Sequence, residues 1–563
     1  MTHVATPSAL LDTESPTPSE RAFPTLTPAQ MQRLEALGHR RMVVRGDVLM
    51  EPGTRGAHFY VVVSGSIEVR RGMRDGETLI TTHMPGAFSG EVGLLTGHRP
   101  VARAVAGDDG EVIELDRDSV LHLIQTDPEI GSTLLRAFIL RRMLLIEGGY
   151  GDVILLGSPH CAGTLRIREF LARNGYPFQM IDLDRDEGVQ ALLDQYQIGP
   201  RDVPVVLYRG EIVLRNPSNE QVADCLGFNE SVDFDSVRDV VIVGAGPSGL
   251  GAAVYAASEG LDTLVIETTA PGGQAGSSSR IENYLGFPNG VSGQELAARA
   301  TAQAQKFGAD LVIAKRVSRL ECERARYVID MEDGGRITTR SIVIASGAQY
   351  RKLDLPRLPD FEGSGIYYAA TFMEAQLCRD DEVVVIGGGN SAGQAAVFLA
   401  ETAKHVHMLV RASGLAESMS RYLIMRIEGN PKITLHPETE LSSLDGPGRT
   451  LQSVEWRHKP TGASERRNIR HVFVMTGAAP STEWLGGCVV RDEKGFVKTG
   501  SDLTPEDLAS SGWSLRRQPY ILETSLPRVF AVGDVRAGSM KRVASAVGEG
   551  AAAIALVHRA LHE

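Results

Sequence analysis

The stretch Asp239–Glu267, DVVIVGAGPSGLGAAVYAASEGLDTLVIE, decides how the chain is read. An apolar run, a glycine-rich turn, a small-residue run with helical spacing and a second apolar run ending in an acid predict strand, turn, helix and strand. Each residue of the turn has a physical task. Gly244 makes it tight, Gly246 lets the backbone approach a pyrophosphate, and Gly249 allows the helix to pack closely on the strand, with Pro247 and Ser248 opening the helix between them. The helix N-terminus then faces the anion. Glu267 lies 23 residues after Gly244, the place for a carboxylate that accepts ribose hydroxyls. The strand before, the helix after and the acid beyond make this more specific than GxGxxG alone.

A second unit of the same kind runs from 381 to 411, DEVVVIGGGNSAGQAAVFLAETAKHVHMLVR, with Gly387 and Gly389 in its turn, Asn390 and Ser391 behind them, and Ala392 as the third small residue. Its second strand ends in Val410-Arg411. An acid there would repel a 2′-phosphate, whereas Arg411 can pair one, so NADPH is expected over NADH; a solvated strand-end charge is the alternative reading of Arg411. Two dinucleotide sites in one chain imply hydride passing from a nicotinamide to a flavin.

The rest of the composition bounds the answer. A chain of 563 residues exceeds one hydrophobic core, so about three to five domains are expected. Its 42% hydrophobic and 23% charged content suits a folded soluble protein. The net charge of −12 argues against nucleic acid or an anionic membrane surface as partner. No apolar run reaches the length of a membrane span and the N-terminus has no leader pattern, so a cytoplasmic location is expected. The five cysteines, at 161, 225, 322, 378 and 488, never form CxxC, which removes a zinc ribbon, an iron–sulfur run and a local dithiol; no metal site is expected, and a long-range pair stays open.

Four parts are expected. Residues 1–28, rich in Thr, Ser, Pro and Glu, read as a disordered tail. Residues 29–147 carry brief strands with glycine turns and then a helix through Leu134, Leu135, Phe138, Ile139 and Arg142, a β-roll followed by a helix. The runs GDVLMEPGTRGAHFYVVVSGSIEV and GAFSGEVGLLTGHRPVARA in it resemble a cyclic-nucleotide-binding domain. That resemblance implies a ribose contact from Gly90 and Glu91 and a phosphate contact from an arginine nine residues later. Pro100 stands there, with Arg99 and Arg103 as the nearest cations, so a roll that binds no nucleotide and serves for docking is weighed beside a ligand-binding one.

Residues 151–229 run strand, helix, strand, helix, strand, strand, with Val203-Pro204 before a strand, and resemble a glutaredoxin or thioredoxin-like domain. By that resemblance Pro204 is the cis-proline, Cys161 stands at the first cysteine of the family's CxxC and Thr164 at the second. A cysteine at a helix N-terminus is placed for thiolate chemistry. Cys161 is therefore weighed as a thiol relay against the commoner inert thiol.

Residues 238–563 resemble the low-molecular-weight thioredoxin reductases over their whole length, through PGGQ (271–274), IENYLGFP (281–288), IVIASGAQYRKL (342–353), FVMTGAAPST (473–482) and VFAVGDVRAGSMKRVASAVGEGAAA (529–553). The resemblance implies a first FAD part at 238–350, an NADPH part at 351–474 and a second FAD part at 475–563. FAD would be held by Gly244, Gly246, Pro247, Ser248, Gly249, Glu267, Gly273, Gln274, Asn283, Gly347, Gly533, Asp534, Arg542, Val543 and Ala544. NADPH would meet Gly387, Gly389, Asn390, Ser391, Ala392 and Arg411. A homodimer is implied as well. The fold class is multidomain: a β-roll with helix, a thioredoxin-like α/β domain, and two Rossmann-like three-layer α/β domains.

In GIYYAATFME, 365–374, Ala369 and Phe372 stand where the reductases carry both redox cysteines. Electrons can reach a flavin but cannot leave through that dithiol. The expected function is FAD-dependent NADPH oxidation, with electrons passing to an external acceptor, a thioredoxin-like or other redox protein, or to Cys161. A flavin-based sensor of NADPH or nucleotide that signals through the N-terminal domains is the alternative.

Overall fold

The computed structural model describes residues 22–563 apart from 55–57, 74–75, 91–93, 95–98, 148–151, 160, 186–192, 195, 231, 279–280, 282, 323–325, 363–364, 369, 371 and 449. The chain divides into two compact units, Met1–Asp152 and Val153–Glu563.

In the first unit the short glycine-punctuated runs become two antiparallel sheets. One orders His39–Val43, Gly110–Leu115 and Phe59–Ser64; the other orders Val48–Met50, Arg103–Ala106, Ile67–Met73 and Gly76–His83. The turn at Gly65 needs glycine: its φ is +79°, and a Cβ there would stand 2.8 Å from the Asp109 carbonyl oxygen. The helix Pro128–Glu147 closes the roll by inserting Phe138 between Phe59 and Phe88, with ring centroids 6.1 and 6.2 Å away. Residues 22–28, read from composition as the end of a tail, are packed instead. Ala22 and Leu26 are buried, and Thr27 caps the helix Pro28–Glu35. The buried Arg141 donates to the Ala22, Phe88 and Gly90 carbonyls, which fastens this segment to the roll. Composition marked the segment as unstructured because the contacts that order it come from distant residues, Arg141 and also Gly86 and His83.

The second unit opens with a four-stranded sheet ordered Ile212–Arg215, Val205–Tyr208, Val153–Gly157 and Phe178–Asp182, in which only the last pair is parallel. The Val203–Pro204 bond is cis. The expected helix at 187–198 falls largely outside the described residues. A helix not read from the sequence, Asn219–Leu226, follows the last strand behind a capping box of Ser218 and Gln221.

The stretch Asp239–Glu267 forms the centre of a seven-stranded sheet ordered Asp310–Ile313, Thr263–Glu267, Arg238–Val243, Arg336–Ile344, Tyr327–Met331 and Val317–Glu321, with Val529–Ala531 beside Arg336–Ile344. The strands from Asp310–Ile313 through Arg336–Ile344 pair in parallel and are buried on both faces, which is why they read as unbroken apolar runs. The helix Pro247–Ser258 packs on the final helix Val543–Leu561 through small residues, since a Cβ on Gly550 would stand 2.1 Å from the Ser248 carbonyl oxygen. The second glycine-rich unit is a separate parallel sheet ordered Ile366–Tyr367, His471–Val474, Glu382–Ile386, His405–Leu409 and Ile433–His436. The chain crosses between the two sheets through the antiparallel pair Ala348–Tyr350 and Ala478–Pro480. The open question of a long-range cysteine pair is answered by a disulfide between Cys322 and Cys488.

Candidate functional site

One cleft of about 2370 Å³ runs between both glycine-rich turns in the second unit. Three helix N-termini meet it. The helices Pro247–Ser258, Asn390–Leu399 and Val543–Leu561 start at Gly246, Gly389 and Arg542, and none of these positions supplies a side chain to cap its own amides. Uncapped first-turn N–H groups at the positive end of a helix are an anion site.

Around the first turn the glycines divide by task. Gly244 has φ +107°, and a Cβ on Gly249 would stand 1.8 Å from the Gly244 carbonyl oxygen, so these two hold helix against strand. Gly246 is different. Its φ of −70° suits any residue, and a Cβ there would find only the Gly273 Cα, 3.9 Å off. The protein does not fill the space over Gly246, and a dinucleotide pyrophosphate fits it. The Glu267 carboxylate, nearly buried, accepts from the backbone N–H of Ala245 at 2.8 Å and of Thr269 at 2.9 Å. It braces the turn; Oε1 also accepts from Thr268 Oγ1 at 3.4 Å, and Oε2 keeps a lone pair for a ribose hydroxyl. Gly273, Gln274, Asn283 and Gly347 line the cleft, and Gln274 donates to the Ala348 carbonyl.

From the far end of the chain, Gly533 is pressed so close to the first helix that a Cβ would stand 2.5 Å from Ser248 Oγ. Asp534 beside it lines the cleft, and burial holds its carboxyl above the usual carboxylate range. Arg542 and Val543 line the cleft with Pro247 and Ser248. Gly249 and Gly533 stand behind the wall, and Ala544 is exposed without lining the cleft. Around the second turn Gly387, Gly389, Asn390, Ser391 and Arg411 line the cleft while Ala392 is buried beneath. Asn390 Oδ1 accepts from the Ser420 backbone N–H at 2.8 Å and Ser418 Oγ donates to the Gly388 carbonyl at 2.9 Å, which folds that loop over the turn.

Of the stretch 365–374, Tyr367, Tyr368, Ala370 and Glu374 line the cleft, and the helix Phe372–Leu377 follows. Ala369 lies outside the described residues. The remaining free thiols are Cys161, Cys225 and Cys378. Cys378 is buried and pushed up to about 12, a poor nucleophile.

Cys161 is the N-cap residue of the helix Ala162–Arg173. Pro204 lies against that helix's first turn, 2.8 Å from where a Cβ on Gly163 would be, and Thr164 is wholly buried beneath it. Arg166 is in electrostatic reach of Cys161. The same helix forms part of the cleft wall through Ala162, Leu165, Arg168 and Arg173. Its C-terminal end is anchored: Arg173 donates to the Gly273 carbonyl at 2.9 Å, Asn174 to the Thr269 carbonyl at 3.1 Å, and Gln294 donates back to the Ala172 carbonyl at 2.9 Å. Arg168, midway along it, interacts with Glu374 and Tyr367 of the other glycine-rich unit. Sequence reasoning missed Arg168, Arg173 and Trp484, which also lines the cleft. An arginine in the last turn of an amphipathic helix reads as a dipole partner, and nothing local ties it to a loop a hundred residues later.

In the first unit, Gly90 has φ +97° and its carbonyl accepts from Arg141. Glu91 lies outside the described residues. Arg103, one of the two cations considered for a phosphate, is held by Glu51 at 2.9 Å and Glu77 at 2.6 Å, so carboxylates of the roll already neutralise it. Arg99 precedes the strand Arg103–Ala106 and is half-buried.

Three family models match parts of the chain. The family model for pyridine nucleotide-disulphide oxidoreductases matches residues 238–550, that for cyclic nucleotide-binding domains 40–127, and that for glutaredoxins 153–213. A thioredoxin reductase of Mycolicibacterium smegmatis is 33% identical over 56% of this chain and 94% of its own length. NADPH-dependent thioredoxin reductase 3 of Arabidopsis thaliana is 31% identical over 62% of this chain, which spans 65% of that relative's length. Among solved structures, the thioredoxin reductase of Lactococcus lactis aligns with a TM-score of 0.51 at 29% identity, over 58% of this chain and 99% of its own.

Proposed function

Because the chain belongs to the pyridine nucleotide-disulphide oxidoreductase family and is thioredoxin reductase-like within it, we propose that it is an FAD-dependent oxidoreductase that oxidises NADPH and delivers the electrons to a disulfide through Cys161, or directly to an external acceptor. The observation that carries the reading is the helix Ala162–Arg173, which begins at Cys161 and forms part of the wall of the cleft that holds both glycine-rich turns.

In this reading FAD is held by the turn Gly244–Gly249, Glu267, Gln274, Asn283, Asp534 and the start of the last helix, and NADPH by Gly387–Ala392 and Arg411. Bound FAD supplies the acceptor for the nicotinamide hydride and turns it into a pair of transferable electrons. The chain's own residues do the rest. Glu267 and Asp534 orient the cofactor by accepting hydroxyl hydrogen bonds. Cys161 is the nucleophile, and a cysteine reacts as its thiolate. That thiolate attacks one sulfur of a substrate disulfide, forming a mixed disulfide and expelling the other sulfur as thiolate. Two electrons, supplied overall by NADPH, and one proton return Cys161 as thiolate and release the second thiol. Such a route needs no dithiol at positions 369 and 372, where this chain has Ala and Phe.

Cys161→Ser tests it. The variant is expected to lose NADPH-driven reduction of thioredoxin-like disulfides and to retain NADPH oxidation with ferricyanide, which needs no thiol. If the wild type reduces such disulfides and the variant does so equally well, the relay is wrong and transfer goes directly from the cleft to the acceptor.

Arg411, exposed on the cleft wall, is proposed to pair the 2′-phosphate. Losing one charge-assisted hydrogen bond of about 1.5–3 kcal/mol weakens NADPH by roughly tenfold to a hundredfold. Arg411→Ala is therefore expected to raise the KM for NADPH by that factor and leave NADH unchanged, as steady-state kinetics with both nucleotides will read.

A further inference from the structure

The bond between Cys322 and Cys488 has no part in the route above. It spans 166 residues, and its position in the fold gives it a task. Cys322 follows the strand Val317–Glu321, the outer strand of the antiparallel flap at one edge of the seven-stranded sheet. Cys488 follows the short helical turn Glu483–Leu485 by three residues. Both flanking pieces reach the cleft: Glu483 and Trp484 line it from one side of the bond, and Val317 and Ser318 from the other.

Trp484 is nearly buried, packed among Leu485, Val489, Val317 and Leu320, yet its indole Nε1 is enclosed without a hydrogen-bond partner. That N–H is enclosed by the protein itself, so its lost hydrogen bond is a cost that the folded wall bears and that release of the ring would relieve. Between Trp484 and Cys488 the buried Leu485 is the apolar anchor. Gly486 and Gly487 are exposed and have no side chains to pack. The polar ties include Thr482 Oγ1 to the Gly495 carbonyl, the Leu485, Gly486 and Cys488 N–H groups to the Thr482, Glu483 and Leu485 carbonyls, the Arg491 guanidinium to the Thr482 and Gly486 carbonyls, and the Val490 N–H to Ser525 Oγ. The disulfide is the covalent link between this segment and the flap.

Both cysteines are half-buried, so a thiol in solution has access to the bond. Trp484, and not either cysteine, lines the cleft. The bond is therefore addressed from outside and is no substitute for the dithiol that the reductases carry within.

We infer that Cys322–Cys488 is a thiol-sensitive strap that holds Trp484 on the cofactor cleft, and that an external dithiol releases it. The exchange balances: one thiolate of the dithiol attacks a sulfur of the bond and expels the other cysteine, the dithiol's second sulfur then attacks its first and expels the cysteine bound there, and the dithiol leaves as a disulfide with its two protons on Cys322 and Cys488. In the reduced form the segment 482–488 keeps only those hydrogen bonds and its apolar packing, and Trp484 leaves the wall. That the ligand so loosened is FAD rests on the function proposed above.

The full-length protein tests this directly. Alkylated after denaturation without reductant, it is expected to carry three labels, on Cys161, Cys225 and Cys378. After treatment of the native protein with dithiothreitol it is expected to carry all five. The same treatment is expected to red-shift the tryptophan emission, a shift that is missing in Trp484→Phe and already present without reductant in Cys322→Ser or, where that variant fails to fold, in Cys488→Ala. Five labels without reductant, three labels after native reduction, or an unchanged emission once five labels are reached would each overturn the strap. Release of flavin fluorescence on reduction is expected as well. If the protein binds no flavin, the FAD reading fails, while label count and indole emission still decide the strap.

Discussion

Gly246→Ala is expected to give a folded protein that binds no flavin. Alanine suits the backbone there, and its Cβ would meet nothing closer than the Gly273 Cα at 3.9 Å, so the ligand-free fold has no reason to resist it. The methyl group would instead occupy the space proposed for the pyrophosphate, where the approach of backbone to phosphate needs hydrogen alone. Gly249→Ala is the contrast. Its Cβ would stand 1.8 Å from the Gly244 carbonyl oxygen, a backbone atom that cannot swing aside. That variant is expected to lose both the flavin and thermal stability. Flavin absorbance of the purified proteins together with circular dichroism melts separates the two outcomes. A Gly246→Ala protein with a full complement of FAD would contradict the placement of the pyrophosphate.

Glu523→Ala is expected to be among the most destabilising single changes outside the apolar core. Glu523 is wholly buried and accepts from Arg517 Nη1 at 2.5 Å and Nη2 at 3.1 Å and from the backbone N–H groups of Tyr520 and Arg528 at 2.9 Å each. Truncation strands two amides and a mostly buried guanidinium, a loss of about 3–5 kcal/mol for a broken buried pair. That corresponds to a fall on the order of 10 °C in the melting midpoint of the part that carries it. Arg517 also meets Glu563, whose side chain is 36% exposed. Glu563→Ala is expected to cost less than about 1 kcal/mol, as solvent screens that pair. Calorimetry on the two variants reads the difference. Equal losses would show that burial does not set the energy of this network.

Much of the cleft was legible because its parts are local. The order strand, turn, helix, strand at Asp239–Glu267 and at 381–411 follows from apolar runs and glycine spacing, and the acid or cation at the end of each second strand falls at a set distance from its turn. Those relations lie within about thirty residues of chain, where backbone geometry alone brings the groups together. The same holds for Cys161, whose place at a helix N-terminus depends only on the helix that follows it.

What tertiary structure decided are the meetings between distant segments, for which the sequence has no period or spacing to read. Residues 22–28 look unstructured in composition and become ordered because Arg141 reaches their backbone. Cys322 and Cys488 are two of five cysteines in the chain, where a long-range pair stays open, and a bonded pair in the fold, since the flap strand and the turn after Ala478–Pro480 pack into one apolar cluster. Arg173 reads as an ordinary last-turn cation and in fact donates to Gly273 a hundred residues on, which sets the helix behind Cys161 on the cleft. Local sequence therefore determined where the two glycine-rich strand–turn–helix units lie and which thiol starts a helix. That the thiol's helix and both dinucleotide turns share one cleft was decided by side chains and carbonyls that only folding brings within hydrogen-bond reach.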